Sequence, residues 1–553
     1  MTESFEKPPY YPITRQNHFL VENERYKYEF SVYILCFCEV FFMVLRKKSG
    51  YQAKLLSSNS IYDGLIVEDD VFDRINAEFE FDFIYDKVEG VYCLDNGRPA
   101  YDPVILYKAT LVQRLKGLSD PEMEYTARYD IRIKHFLGIP IEDFGFDYST
   151  LSVFRTRLGP ELFESIFNTI LGQIVKLGII KNPKKQFIDS MPVLAHAALP
   201  SVTSLIYQGI SGVVHNTDEK TKQRIYSKTG LTDDKVKYYS KARPLFKMDK
   251  SERETAFCKA VNRAKEILNM LESENIFDEN TNMLKQILNE NVDEQNNRIQ
   301  TEKPVKTLVD KDAKLGHKTK EDLIFGYKNH ATVTEEGIIT AVVVTSAAEK
   351  DDKQLSEIIA KQEKLNLKAE IIDGDSGYGY IETFKTAKSN DVILNAPFRG
   401  LDEKELSIYE LKYDRKHNTL TCLNNITVRG SGKDKLKFEF SIRKCRGCPK
   451  KDRCQIAASK VATLHEDHEI AREAIARQRE NSEEKKEAKQ NGIKQKSRLI
   501  IENVFAYLTK LGGKKGIYTG IKKTLTQILL VATISNIMKT IRIIDKKQKI
   551  HAI

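Results

Sequence analysis

The chain has 553 residues, 41% of them hydrophobic and 30% charged, enough for two or three domains with real cores. Lys and Arg outnumber Asp and Glu by 88 to 78, a net charge of +10, which suits a polyanionic partner without demanding one. Eight Cys in this length exclude a disulfide scaffold and favour a reducing compartment.

The first apolar run, "SVYILCFCEVFFMVL" at 31–45, contains Glu39 and is short for a membrane span. It follows a charged segment, which argues against a secretory leader, and it reads as a buried helix or strand. From about 100 to 180 the periodicity is helical. Asp102-Pro103 and Ser119-Asp120-Pro121 are helix starts, and Gly159-Pro160 divides the last stretch into two helices. At 184 the period changes: "KKQFIDSMPVLAHAA" predicts a short strand ending in Asp189. A polar helical region follows over 205–305.

Strand signals then cluster. "DLIFGYKNHATVT" and "IITAVVVTS", joined through Glu335-Glu336-Gly337, predict a hairpin. "DDKQLSEIIAKQEKLNL" predicts an amphipathic helix, "KAEIIDGDSGYG" a strand running into a turn, "YIETFKTAKSN" a helix and "DVILNAP" a strand. The order predicts a mixed α/β sheet. Beyond 397 lie a Cys-containing stretch and a charged helix. The last segment is again helical, with Leu499, Ile500, Val504, Leu508 and Leu511 as its apolar positions. "TLTQILLVATISNIMKTIRII" at 524–544 is greasy but interrupted by Asn536, Lys539 and Arg542, and reads as a packed helix, not a membrane span.

Three carboxylates stand out by position: Asp189, one of Asp373 and Asp375 at the strand-to-turn junction, and Glu502 on a late helix. If brought together they would repel and raise one another's pKa unless divalent cations sat between them. Oxygen donors without His or Cys suit Mg²⁺ or Mn²⁺. Two such ions about 4 Å apart can serve phosphodiester cleavage. Each acid alone reads as a turn residue, a cap or a solvated helix position, and only the joint pattern points to a site.

Several stretches, in this order, resemble the bacterial insertion-sequence transposases of the DDE, ribonuclease-H-like superfamily. They are "GRPAYDPVILYKATLVQRLKGLSDPEM", "FIDSMPVLAHA", "VDKDAKLGHKTKEDLIFGYKNHATVTEEGIITAVVVTSAAEKDD", "IIDGDSGYGYIETF" and "RLIIENVFAYLTKLGGKKGIYTGIKKTLTQILLVATISNI". The resemblance implies an α/β ribonuclease-H-like catalytic core with a mixed sheet, an all-α N-terminal domain and large insertions. The expected divisions are a divergent extension over 1–60 and a helical DNA-binding domain over 61–180. The catalytic domain would span 181–545, with a helical insertion at 195–310 and a Cys-containing one at 397–490.

The resemblance selects Asp375 over Asp373 and implies Asp189, Asp375 and Glu502 as the catalytic acids, holding two Mg²⁺ or Mn²⁺ ions. Arg498 matches a family Arg one turn before the Glu, while Gln495 stands where relatives carry Tyr. The implied reaction is cleavage at the element ends followed by joining to target DNA. The implied partners are double-stranded DNA, as terminal inverted repeats and target, and further copies of the chain in a homodimer or larger assembly. The implied setting is the bacterial cytoplasm, at the nucleoid. A descendant that binds DNA and represses transposition without cleaving is the alternative, disfavoured because all three acids are present.

After residue 503 there are ten Lys or Arg and one acid, Asp545. Lys510, Lys514, Lys515, Lys522 and Lys523 gather around "KLGGKKGIYTGIKK", a pattern that suits sequence-blind contact with phosphates. Cys445, Cys448 and Cys454 in "CRGCPKKDRC", with Cys422 upstream, supply four thiols; Cys-x2-Cys is a common structural Zn²⁺ spacing.

Overall fold

The computed structural model describes residues 43–44, 62, 71–93, 98–197, 199–241, 248–299, 307–317, 323–398, 410–431, 436–464, 468–490 and 497–551. The apolar run at 31–45 therefore lies outside the described residues, apart from the backbone of 43–44.

The N-terminal helices are α1 (Val71–Glu78), α2 (Phe83–Val88), α3 (Pro103–Lys116), α4 (Asp120–Tyr129), α5 (Ile131–Leu137) and α6 (Tyr148–Lys176). Their starts follow from local chemistry. The Asp102 carboxylate accepts the N–H groups of Val104 and Ile105, with Pro103 at the first helical position. Ser119 and Glu122 form a reciprocal capping box on α4. Gly159, at φ 65° and ψ 174°, breaks α6 where the sequence places its divider.

The central sheet is built from β1 (Lys185–Leu194), β2 (Lys314–His317), β3 (Leu323–Thr334), β4 (Ile339–Ser346), β5 (Ile371–Asp373) and β6 (Ile393–Asn395). β3 pairs antiparallel with both β1 and β4, and β2 pairs with the start of β3. β5 and β6 join parallel on the other edge of β1. Helix α12 (Leu355–Glu363) carries the chain from β4 to β5, and α13 (Ile381–Ser389) from β5 to β6.

The expectation that the first strand ends at Asp189 is corrected: β1 continues to Leu194, paired with β3 throughout. The Leu194 N–H and C=O both point away from β3, to Lys514 and Gly516. By the two-residue alternation the ring nitrogen of Pro192 faces that same outer edge. β5 has already left that edge there, so the missing donor costs no ladder bond.

Each face of the sheet is covered. One packs Phe187, Met191 and Val193 against α15 (Ser497–Lys510), α16 (Ile521–His551) and the N-terminal helices. The other packs Ile188, Ala341, Val343 and Ile372 against α12 and α13. The 28 residues Ile521–Gln548 of α16 are apolar enough to cross a membrane, but 72% of their most apolar stretch is buried in the protein, so this is a core helix. Its Asn536 accepts the Ile339 N–H and donates to the Ile339 carbonyl, each at 2.8 Å, where the β3–β4 register shifts. The buried stripe of α15 is Ile501, Val504, Phe505 and Leu508, continued by Leu511 just past its end. Leu499, expected inside, is 53% exposed.

Two further clusters stand apart from this core. Helices α7 (Val202–Asn216), α8 (Glu219–Thr229), α9 (Asp233–Tyr239), α10 (Lys250–Ser273) and α11 (Glu279–Asn291) enclose an apolar core of their own. Within 410–464, five short strands (β7 Lys412–Asp414, β8 Thr419–Thr421, β9 Thr427–Arg429, β10 Leu436–Glu439, β11 Val461–Leu464) surround Leu411, Leu420, Phe438, Phe440 and Ile456. The charged helix α14 (His468–Gln490) follows.

Candidate active site

Parallel pairing of β1 with β5 ends with Phe187 opposite Asp373. Asp189 and Asp375 each lie two residues beyond that pair, so the two acids stand level with each other. Asp375 caps a short 3-10 turn, and its Oδ1 accepts the Gly377 N–H at 2.8 Å. A Cβ on Gly377 would fall 2.8 Å from that same oxygen, which is why glycine is needed there. The Asp189 carboxylate accepts its neighbour's N–H, from Ser190, at 2.7 Å.

Asp373 is otherwise engaged: it accepts from Asn395 at 2.9 Å and lies 3.7 Å from the Lys185 ammonium. Beneath the turn, Tyr378 is fully buried. Burial, and then the charges of Asp351, Asp189 and Asp375 in that order, push its hydroxyl pKa well above the usual value.

Glu502 is exposed on α15. One end of that helix is located by Thr509, whose hydroxyl lies 3.6 Å from Met191 Sδ, and by the 514–516 loop against Leu194. Helix and strand therefore run in the same sense. Two turns back from Thr509, about 10 Å, Glu502 lies on the same helix face, toward the Asp189 level of β1. Among the described residues, no group of three or more His, Cys, Asp and Glu side chains is closed up as a metal-holding cluster. Register thus carries Asp189 and Asp375 past the same end of the β1–β5 pairing, and Glu502 sits on α15, whose far end packs on β1.

The Gly-rich loop after α15 docks on the end of β1 at Leu194. Gln527, buried on α16, accepts the Ile517 N–H at 3.0 Å and donates to the carbonyls of Gly512 and Lys515, each at 2.8 Å. Gly512 has φ 86°, and a Cβ on Gly513 would meet the Leu508 carbonyl at 2.9 Å. Lys510, Lys514, Lys515, Lys522 and Lys523 are all exposed around it. Tyr518 reaches back to the N-terminal helices, its hydroxyl 3.3 Å from Arg114 and its ring 5.8 Å from the Arg155 guanidinium. The side chain of Arg498 lies outside the described residues.

Cys422, Cys445, Cys448 and Cys454 line one small cavity of about 20 Å³ with Phe440 and Ile456. Burial and the other three thiols raise the pKa of Cys445. They too are not closed up as a metal cluster.

Sequence reasoning missed the groups behind the acids: Ser190, Lys328, His330 and Asp351. The signal was faint, a run "EKDD" before a helix and a "YKNH" inside a strand. His330 is fully buried, and burial pushes its pKa down to about 4, so the ring is neutral.

Two family models match the chain: a transposase domain over residues 60–157 and a transposase DDE domain over residues 416–541. The second takes in the Cys cluster from Cys422, Glu502 and the lysine loop; Asp189 and Asp375 lie outside both. No curated protein and no solved structure matches. A transposase domain followed by a transposase DDE domain on one chain supports a DDE transposase of an insertion element.

Proposed function

We propose that this transposase cleaves phosphodiester bonds at the ends of its own insertion element and joins the freed ends to target DNA, using Asp189, Asp375 and Glu502. The placement of Asp189 on β1 and of Asp375 in the turn just after its parallel neighbour β5, each two residues past their last pair, carries this reading. The strand order β4–β3–β1–β5–β6, three antiparallel strands and then two parallel ones, supports a ribonuclease-H-like core.

The donors are carboxylate oxygens, which fit hard divalent ions such as Mg²⁺ or Mn²⁺. When bound, two such ions supply an activated water and stabilise the leaving oxygen. The chain's own part is to hold the acids. The Gly377 N–H fixes one oxygen of Asp375, and the Ser190 N–H one of Asp189. The lysines of the Gly-rich loop, together with Arg498, would grip the DNA backbone. Leu194, where that loop docks, is five residues along β1 from Asp189, about 17 Å, so phosphates beside the cleaved one would be gripped. Cys422, Cys445, Cys448 and Cys454 would hold a structural Zn²⁺ that staples a subdomain whose apolar core is small. The helices before β1 would recognise the element ends, within a dimer or larger assembly.

The test is cleavage of a labelled duplex carrying the element end, in Mg²⁺, by the full chain and by Asp189→Asn, Asp375→Asn and Glu502→Gln. Each substitution should lower the rate by roughly a thousandfold or more. Undiminished cleavage by any of them removes that residue from the site.

A further inference from the structure

Asp351 lies behind Asp189 and Asp375, bonded to the segment that carries the first and close to the turn that carries the second. Its Oδ2 accepts the Ser190 hydroxyl at 3.0 Å, and Ser190 follows Asp189 directly. The same oxygen would lie 3.2 Å from a Cβ on Gly377, the residue whose N–H holds Asp375. Its Oδ1 accepts from the Lys328 ammonium at 2.8 Å, and Lys328 also donates to the Glu349 carbonyl at 2.9 Å. Both members of this ion pair are largely shielded, with side chains 18% and 17% exposed. His330 Nδ1 stands 4.0 Å from Asp351 and 3.4 Å from the Tyr378 hydroxyl.

Ser190 and Ile188 point to the α12 face of the sheet, whereas Phe187 and Met191, and so Asp189 between them, point to the α15 face. Asp351 is therefore behind the acids, not among them. Its two oxygens are already used by a hydroxyl and an ammonium, so it is fitted to hold its neighbours in place. The charge it would add behind the site is balanced by Lys328. A shielded pair with one member removed leaves an uncompensated charge, so this arrangement resists drift.

We propose that Asp351 is a positioning residue. Anchored by Lys328, it couples the Asp189 strand to the Asp375 turn and so sets the spacing of the two acids toward divalent metal. This rests on the reading of Asp189 and Asp375 as metal-binding acids.

The experiment uses the full chain with Ser190→Ala, which cuts only the link to β1, Asp351→Asn, and Asp189→Asn as control. Mn²⁺ binding is measured by calorimetry without DNA, the Mg²⁺ dependence of element-end cleavage is measured in parallel, and thermal unfolding checks the fold. Both Ser190→Ala and Asp351→Asn should bind Mn²⁺ about tenfold more weakly and need about tenfold more Mg²⁺ for half-maximal cleavage. Ser190→Ala should unfold at nearly the wild-type temperature and regain most of the wild-type rate at saturating metal. Wild-type Mn²⁺ affinity and Mg²⁺ dependence in folded Ser190→Ala overturn the proposal. If Asp189→Asn is inactive in that case, only the role of Asp351 falls; if Asp189→Asn cleaves normally, the underlying reading falls with it.

Discussion

Asp373 and Asp375 sit two residues apart but have different partners: Asp373 is held by Asn395 and Lys185, and Asp375 by the N–H of Gly377. The first sits at the last rung of a parallel pair, the second past it, level with Asp189. Asp373→Asn should therefore keep cleavage within about tenfold of wild type and lower stability by about 1 kcal/mol, while Asp375→Asn abolishes cleavage at nearly unchanged stability. Parallel cleavage and urea-unfolding assays separate the two; an inactive, fully stable Asp373→Asn would reverse the assignment.

The lysine loop is preorganised by one buried amide. Gln527→Ala removes three hydrogen bonds and strands the polar groups they served, which should cost about 2–4 kcal/mol. Removing Lys514 and Lys515 together should leave stability unchanged. It should also reduce the slope of log affinity against log salt by about 1.8, at 0.9 per lost phosphate contact on duplex DNA. Fluorescence anisotropy over a salt series measures the slope, and an unchanged slope would mean these lysines face solvent in the complex.

His330 links stability to pH. Its folded-state pKa of about 4 lies below the unfolded value of roughly 6.5, so the unfolded chain takes up the proton first. Stability from this residue is full above about pH 6.5 and is lost as pH falls toward 4. Between pH 7 and pH 5 the loss amounts to about 2 kcal/mol. Urea unfolding of His330→Asn at both pH values should show a pH-dependent loss smaller by that amount; equal losses would mean the ring is already charged in the fold.

Asn536 is the polar residue that interrupts the greasy last helix, and it clamps the backbone of Ile339 in both directions. Asn536→Leu leaves a buried N–H and C=O unpaired and should destabilise by about 2–4 kcal/mol, despite adding apolar surface. A rise in melting temperature would show that the backbone there finds other partners.

The four thiols give a prediction independent of cleavage. Zinc analysis of the purified chain should find about one ion, lost in Cys445→Ser, and chelation should loosen 410–464 in hydrogen exchange while the central sheet stays protected. A zinc-free chain with an unchanged exchange pattern would assign the cysteines to the small apolar core alone.

Much of this was legible in the residues. Helix starts at Asp102 and Ser119, the break at Gly159 and the β3–β4 hairpin are local patterns: capping, glycine freedom, two-residue alternation. Periodicity misplaced the end of β1 and the inward face at Leu499, because where a strand stops and which helix side is buried depend on partners far away in sequence. Those partners are the 514–516 loop for β1 and the sheet for α15.

The order and kind of elements, the chemistry of the acids, the thiols and the lysine cluster follow from the sequence alone, since each rests on residues a few positions apart. Only the fold decided that Asp373 is taken up by Asn395 and Lys185, that the four cysteines line one cavity, and that Asp351 and Lys328 lie together behind β1. Each of these is set by strand register or by packing between segments tens to hundreds of residues apart, and such pairings leave no trace in a local period.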